Sequence, residues 1–149
     1  MKRKKLIRFA FVLFLMMGFV FGLSVQAEEL DRESGKLNAE VLCKDILDME
    51  PIEKTNTFSV EDEKVVSWIR FSYQSSEDFK VSWEWINPAG VVYYRGGIDM
   101  EAGQYANYRA WYWIGIQDHD AAKMPGYWKV RIYAGDDIIG VQDFYIEED

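Results

Sequence analysis

The chain has 149 residues and carries 25 Asp plus Glu against 17 Lys plus Arg, with one His and one Cys. Five of the bases precede the first acid, Glu28, so the chain from Glu28 onward holds 12 bases against 25 acids, a formal charge of −13. Such a surface repels phosphate backbones and anionic lipid heads, which argues against nucleic-acid or acidic-membrane binding, and one His with one Cys cannot form a His/Cys zinc site or an intrachain disulfide.

In chain order, the cationic opening "MKRKKLIR" is followed by an apolar run of 15 residues, Phe9 to Leu23, and by "VQA" ending at Ala27. These are the three parts of a cleavable secretory signal, and a span of about 20 residues would be needed to cross a bilayer. Residues 1–27 are therefore expected to be a signal peptide, and the product to be exported, periplasmic or extracellular, with no stable membrane span after cleavage. Lipidation is not expected, because Cys43 lies well beyond the cleavage point. Residues 28–40, "EELDRESGKLNAE", hold too little apolar surface to offset the entropy of ordering and are expected to be a flexible leader. Residues 41–149 are then a single domain.

The domain begins with a segment of two readings. "VLCKDIL" (41–47) suits a strand, while Ala39, Leu42, Cys43, Ile46 and Met49 also follow helical spacing. From Lys64 to Tyr73 the pattern is a strand with Val65, Ile69, Phe71 and Tyr73 on one face and Val66, Trp68 and Arg70 on the other. Lys80 to Ile86 alternates Val81, Trp83 and Trp85 against Ser82 and Glu84, so the charge of Glu84 is expected outside. "NPAG" (87–90) turns the chain into "VVYYR", making a hairpin. Tyr108 to Ile116 is the next strand, followed by the polar loop "QDHDAAKMPG". "YWKVRIY" then buries Trp128, Val130 and Ile132 and exposes Lys129 and Arg131. Gly135 in "AGDD" supplies the positive φ of a tight turn, and the last strand buries Phe144 and Ile146, with Gly140 marking a bulge.

Strand follows strand with no helical crossover patterns, so the sheets should be antiparallel. The expected fold is all-β, an antiparallel immunoglobulin-like β-sandwich of about seven strands. Trp83 or Trp85 stands where such domains bury a Trp, although the flanking cysteines are absent.

Three stretches, "DMEPIEKTNTFSVEDEKVVSWIRF", "WEWINPAGVVYY" and "PGYWKVRIYAGDDIIGVQDFYI", resemble a family of small exported bacterial domains of unknown function. Its marks are a Glu-Pro start, a strand with a central aromatic, a Trp-bearing hairpin, and a closing hairpin running from Gly-x-Trp-x-Val to Phe-x-Ile. The similarity extends over residues 41–147, and Arg109 is the equivalent of a basic residue in the family's middle strand. The resemblance implies a non-enzymatic module and supplies no catalytic residue, cofactor or ligand.

His119 sits in a polar loop and is expected to be solvated, and Cys43 to be buried, so a Cys–His dyad is not expected. Asp118 with Asp120, and Asp136 with Asp137, offer carboxylates for a hydrolase or oxygen ligands for Ca²⁺, but the ordered spacing of a calcium loop is missing and acids in turns ordinarily serve turn formation. No metal or cofactor is expected. The strand from Tyr108 to Ile116 is the informative one. If Ala110, Tyr112, Ile114 and Ile116 face the core, then Arg109, Trp111 and Trp113 stand outside in a row, and Tyr93, Tyr94 and Tyr108 could extend the surface. Flat exposed aromatics and Arg anchor proteins and sugars alike. The expected function is non-catalytic binding of a protein or cell-envelope component, with carbohydrate binding on a Trp platform as the first alternative and a small hydrolase as the second.

Overall fold

The computed structural model describes residues 35–148; the expected signal peptide and residues 28–34 of the expected leader lie outside them. Nine strands follow one another: β1 (Lys36–Leu47), β2 (Glu50–Lys54), β3 (Thr57–Ser59), β4 (Lys64–Ser75), β5 (Phe79–Ile86), β6 (Val92–Met100), β7 (Gly103–Gly115), β8 (Gly126–Ala134) and β9 (Asp137–Glu147). A single 3₁₀ turn, Asp120–Lys123, lies between β7 and β8. The strands form two sheets, ordered β2-β1-β4-β7 and β3-β9-β8-β5-β6. No helix among the described residues is long and apolar enough to cross a membrane.

The two sheets bury their facing sides. Val65, Ile69, Phe71 and Ala110 from one meet Val81, Trp83, Trp85, Trp128, Val130, Ile132, Phe144 and Ile146 from the other. Burial of large rings supplies most of the drive to fold. Trp83 and Trp85 are both fully enclosed, and Trp83 Nε1 donates to Ser67 Oγ at 2.9 Å, while the Ser67 hydroxyl donates to Gln142 Oε1. A chain of hydrogen bonds thus ties β5, β4 and β9 together across the core.

Three expectations change. Of its two readings the segment 41–47 takes the strand, and β1 begins at Lys36, so residues 36–40 of the expected leader are paired in the sheet. Period two is obscured there because Leu42 is buried on one side of β1 and Cys43 on the other. The strand count rises from seven to nine through β2, which hairpins with β1, and β3, whose pairing with β9 is parallel in an otherwise antiparallel molecule. Glu84, expected outside, is only 3% exposed. It lies between Arg95 on β6 and Arg131 on β8, its cross-strand neighbours, and bonds both, with Arg131 Nη1 at 3.2 Å.

The strand β4 is covered on both faces. Val65, Ser67 and Ile69 point to the core, yet Val66 and Trp68 are also buried. Their cover comes from the β1–β2 hairpin, whose tip folds back over the outer side of its own sheet. Trp68 Nε1 donates to the Met49 carbonyl at 3.0 Å, and Glu50 reaches across to Arg109 on β7. The two tip residues, Asp48 and Met49, both have positive φ (51° and 65°), as the tight primed turns that match strand twist require. Neither is glycine, so the turn is strained and the indole bond helps to hold it.

Replacing Ser67 with Ala leaves the buried Trp83 N–H without an acceptor. Unfolding free energy should fall by about 1–3 kcal/mol, read as a lower urea midpoint at unchanged slope. A loss below about 0.5 kcal/mol would mean that the network carries no weight in the fold.

Candidate functional site

The ladder register sets out the outer face of the first sheet in rows. Ala39, Arg70 and Arg109 form one row across β1, β4 and β7; Val41, Trp68 and Trp111 the next; Cys43, Val66 and Trp113 the third. Arg109, Trp111 and Trp113 therefore point away from the core, and Ala110 and Ile114 into it. Their exposure is unequal. Trp113 is 53% exposed, whereas Trp111, beside the buried Trp68, is half-buried. Arg109 is open to solvent and its Nη2 lies 3.0 Å from Glu50 Oε1. Strand β7 ends its sheet, so Trp113 stands at a corner of the sandwich.

Beside that corner is a cleft of about 330 Å³ lined by Tyr93, Tyr94, Tyr112, Trp113, Ile114, Gly115 and His119. Both β6 and β7 are edge strands, and the cleft opens where the two edges face each other. Tyr112 closes the sandwich here. Its ring stacks on Trp83 (centroids 5.7 Å, 23°) and on Tyr94 (6.2 Å, 19°), so a three-ring stack runs from the core to the surface. Two glycines make room for this arrangement. A Cβ on Gly96 would lie 2.5 Å from the Tyr112 ring, and one on Gly115 would lie 2.3 Å from the His119 ring. The hydroxyls of Tyr94 and Tyr112 are 3.3 Å apart. That bond, reinforced by burial, holds the Tyr112 phenol above its ordinary pKa, and the cleft presents this hydroxyl pair among ring faces.

The remaining candidates separate. His119 belongs to the cleft wall while staying exposed, and Asp118 is one residue away with φ 61°. Asp120 pairs with Lys123 at 2.7 Å, which holds its carboxyl below the usual range. Asp136 and Asp137 lie at the β8–β9 turn. Among the described residues, no group of three or more His, Cys, Asp or Glu side chains converges as metal ligands would. Cys43 is fully buried, its sulfur directed at the Val66 carbonyl, and burial pushes the thiol up to about 11. It is a packed side chain and not a nucleophile.

Four contributors escape the pattern of a single strand. Tyr112 was assigned to the core face and proves to be the inner wall of the cleft. Arg70 and Trp68 were on the correct face of β4, but only the β4–β7 register places them beside Arg109 and Trp111. Glu50 comes from a hairpin that folds across the sheet, which no local signal announces.

No protein-family model matches the chain, and no curated protein matches it. Among solved structures, an immunoglobulin-like protein from Pseudomonas aeruginosa is similar with a TM-score of 0.53 at 10% identity, over 76% of this chain and 97% of that one. The domain has an immunoglobulin-like fold. A DNA-bound alkylpurine DNA glycosylase from Pseudomonas fluorescens gives a TM-score of 0.52 at 12% identity, over 78% of this chain but 31% of that one. A β-glucosidase from Erythrobacter marinus gives 0.49 at 9% identity, covering 77% of this chain and 16% of that one. At such identities the likeness to the first two is one of fold, and a fold of this kind hosts many functions.

With its pKa raised to about 11, the Cys43 thiol stays protonated at pH 8. A thiol-specific disulfide reagent should therefore leave the folded protein unmodified for hours and react at once in denaturant. Rapid labelling of the native protein would contradict the packing described.

Proposed function

We propose that this chain is an exported, non-catalytic module that holds a saccharide polymer of the cell envelope or its surroundings along β7. The observation that carries this reading is the cleft at the β6–β7 edge, in which ring faces and the paired hydroxyls of Tyr94 and Tyr112 meet beside an exposed Trp. Its volume of about 330 Å³ lies within the range of small-ligand sites. Amphipathic rings suit sugars, which offer apolar C–H faces for stacking and hydroxyls for hydrogen bonds. Export supplies access to such a polymer, and the basic, apolar and small-residue segments of residues 1–27 support it.

A protein partner is the second reading, favoured by one observation. The tip of the β1–β2 hairpin exposes Leu47 (60%), Met49 (50%) and Ile52 (36%) together, and clustered exposed apolar side chains are a mark of protein interfaces.

Titration of intrinsic Trp fluorescence with a panel of cell-wall and matrix glycans tests the first reading. At least one glycan should change the emission saturably, and Trp113→Ala should weaken that binding about tenfold or more, the equivalent of ~1.4 kcal/mol. Leu47→Asp should leave it unchanged. A flat response across the panel removes the saccharide reading.

A further inference from the structure

We propose that the saccharide bound along β7 carries a sparse carboxylate and that Arg70 and Arg109 receive it; this rests on the saccharide reading above and specifies its chemistry. The two arginines are direct cross-strand neighbours on the outer face of the sheet. Like charges placed opposite each other oppose strand pairing, so the pair stands against the interest of the fold. Four arginines fall among the described residues. Arg95 and Arg131 share the Glu84 carboxylate, and Arg109 has Glu50. No ion pair or hydrogen bond reaches Arg70 from any described residue, and its Nε is buried with no acceptor. In a chain where acids outnumber bases two to one from Glu28 onward, a half-buried guanidinium without a carboxylate marks a place where one is to be supplied from outside. Arginine binds carboxylates through two parallel N–H donors, and a buried unpaired donor gains most from such a partner.

The neighbouring rows say what else the ligand brings. Trp111 and Trp113 follow Arg109 on the same side of β7, at intervals of roughly 7 Å. On the other side of the arginine row lie the amides and hydroxyl of Asn38, Ser72 and Asn107, already bonded to one another at 2.7–3.2 Å. An acidic sugar at the arginine pair with uncharged sugars over the Trp rings fits this order of chemistry. A densely charged polyanion does not, because the formal charge of −13 from Glu28 onward repels it at every other position. Glu50 occupies Arg109, 3.0 Å away and 53% exposed. It is the internal stand-in that an incoming carboxylate displaces.

The test uses the processed protein, Trp fluorescence and four probes: an oligosaccharide bearing one glucuronic acid, its methyl ester, a dense polyuronate and tetraglutamate. The acid should bind at least tenfold more tightly than its ester and than the polyuronate. Arg109→Gln should abolish the preference for acid over ester, and Glu50→Gln should strengthen binding of the acid several-fold while leaving the ester unchanged. Equal affinity of wild type for acid and ester overturns this inference and leaves the saccharide reading standing. Silence toward both, when a neutral glycan of the panel binds, overturns it also. Tetraglutamate binding as tightly as the acidic oligosaccharide would assign the site to a peptide and overturn it. No response to any saccharide overturns the inference and the reading together.

Discussion

The organising constraint is the burial of β4 on both faces. A strand whose two sides are both covered cannot slip, because a shift of one residue would exchange Ser67 for Val66 in the core and Trp68 for Ile69 beneath the hairpin. Ser67 must meet the indole of Trp83, and Trp68 must meet the carbonyl of Met49. With β4 fixed, β7 is fixed beside it, and the facing pairs Arg70–Arg109, Trp68–Trp111 and Val66–Trp113 follow. The outer face of that sheet is thus a consequence of the core register, and its side chains stand where the interior requires them to.

Lacking a disulfide, the molecule uses polar and ionic ties to the same end. The Trp83–Ser67–Gln142 chain crosses the core, and Glu84 with Arg95 and Arg131 crosses three strands of the other sheet. A carboxylate buried beneath two solvent-exposed guanidinium groups is weak as a source of stability, since its desolvation offsets much of the attraction. Its effect is on register: only one alignment of β6, β5 and β8 lets a single carboxylate meet two guanidinium groups. The same logic throws Arg70 into relief. The fold neutralises its other described arginines, and it leaves this one beside a like charge on an aromatic face.

Much of this was legible in the residues. Alternation of Val81, Trp83 and Trp85, of Trp128, Val130 and Ile132, and of Ala110, Tyr112 and Ile114 located the core faces, because those strands are covered on one side. The fold class followed from strand succession and turn residues. What stayed hidden depended on contacts distant in sequence. With Leu42 in the core and Cys43 buried on the outer side of β1, the period-two signal of that strand is erased. Glu84 looked like a surface charge because its partners, Arg95 and Arg131, lie 11 and 47 residues away. The cleft needs Gly96 and Gly115 as empty places for the rings of Tyr112 and His119, and an absent side chain carries no pattern of its own.

Six Trp residues distributed over core and surface give the most direct measurement of the central claim, that ligand is read on the outer side of β7 and the adjoining edge. Nitrogen–proton correlation spectra of the labelled protein resolve each indole N–H, and an oligosaccharide bearing one acidic sugar can be titrated in. The indoles of Trp111 and Trp113 should move progressively with ligand while those of Trp83, Trp85 and Trp128 hold their positions. Saturable binding that leaves Trp113 unmoved and instead shifts residues on the opposite sheet, such as Tyr127 and Tyr145, would contradict the account.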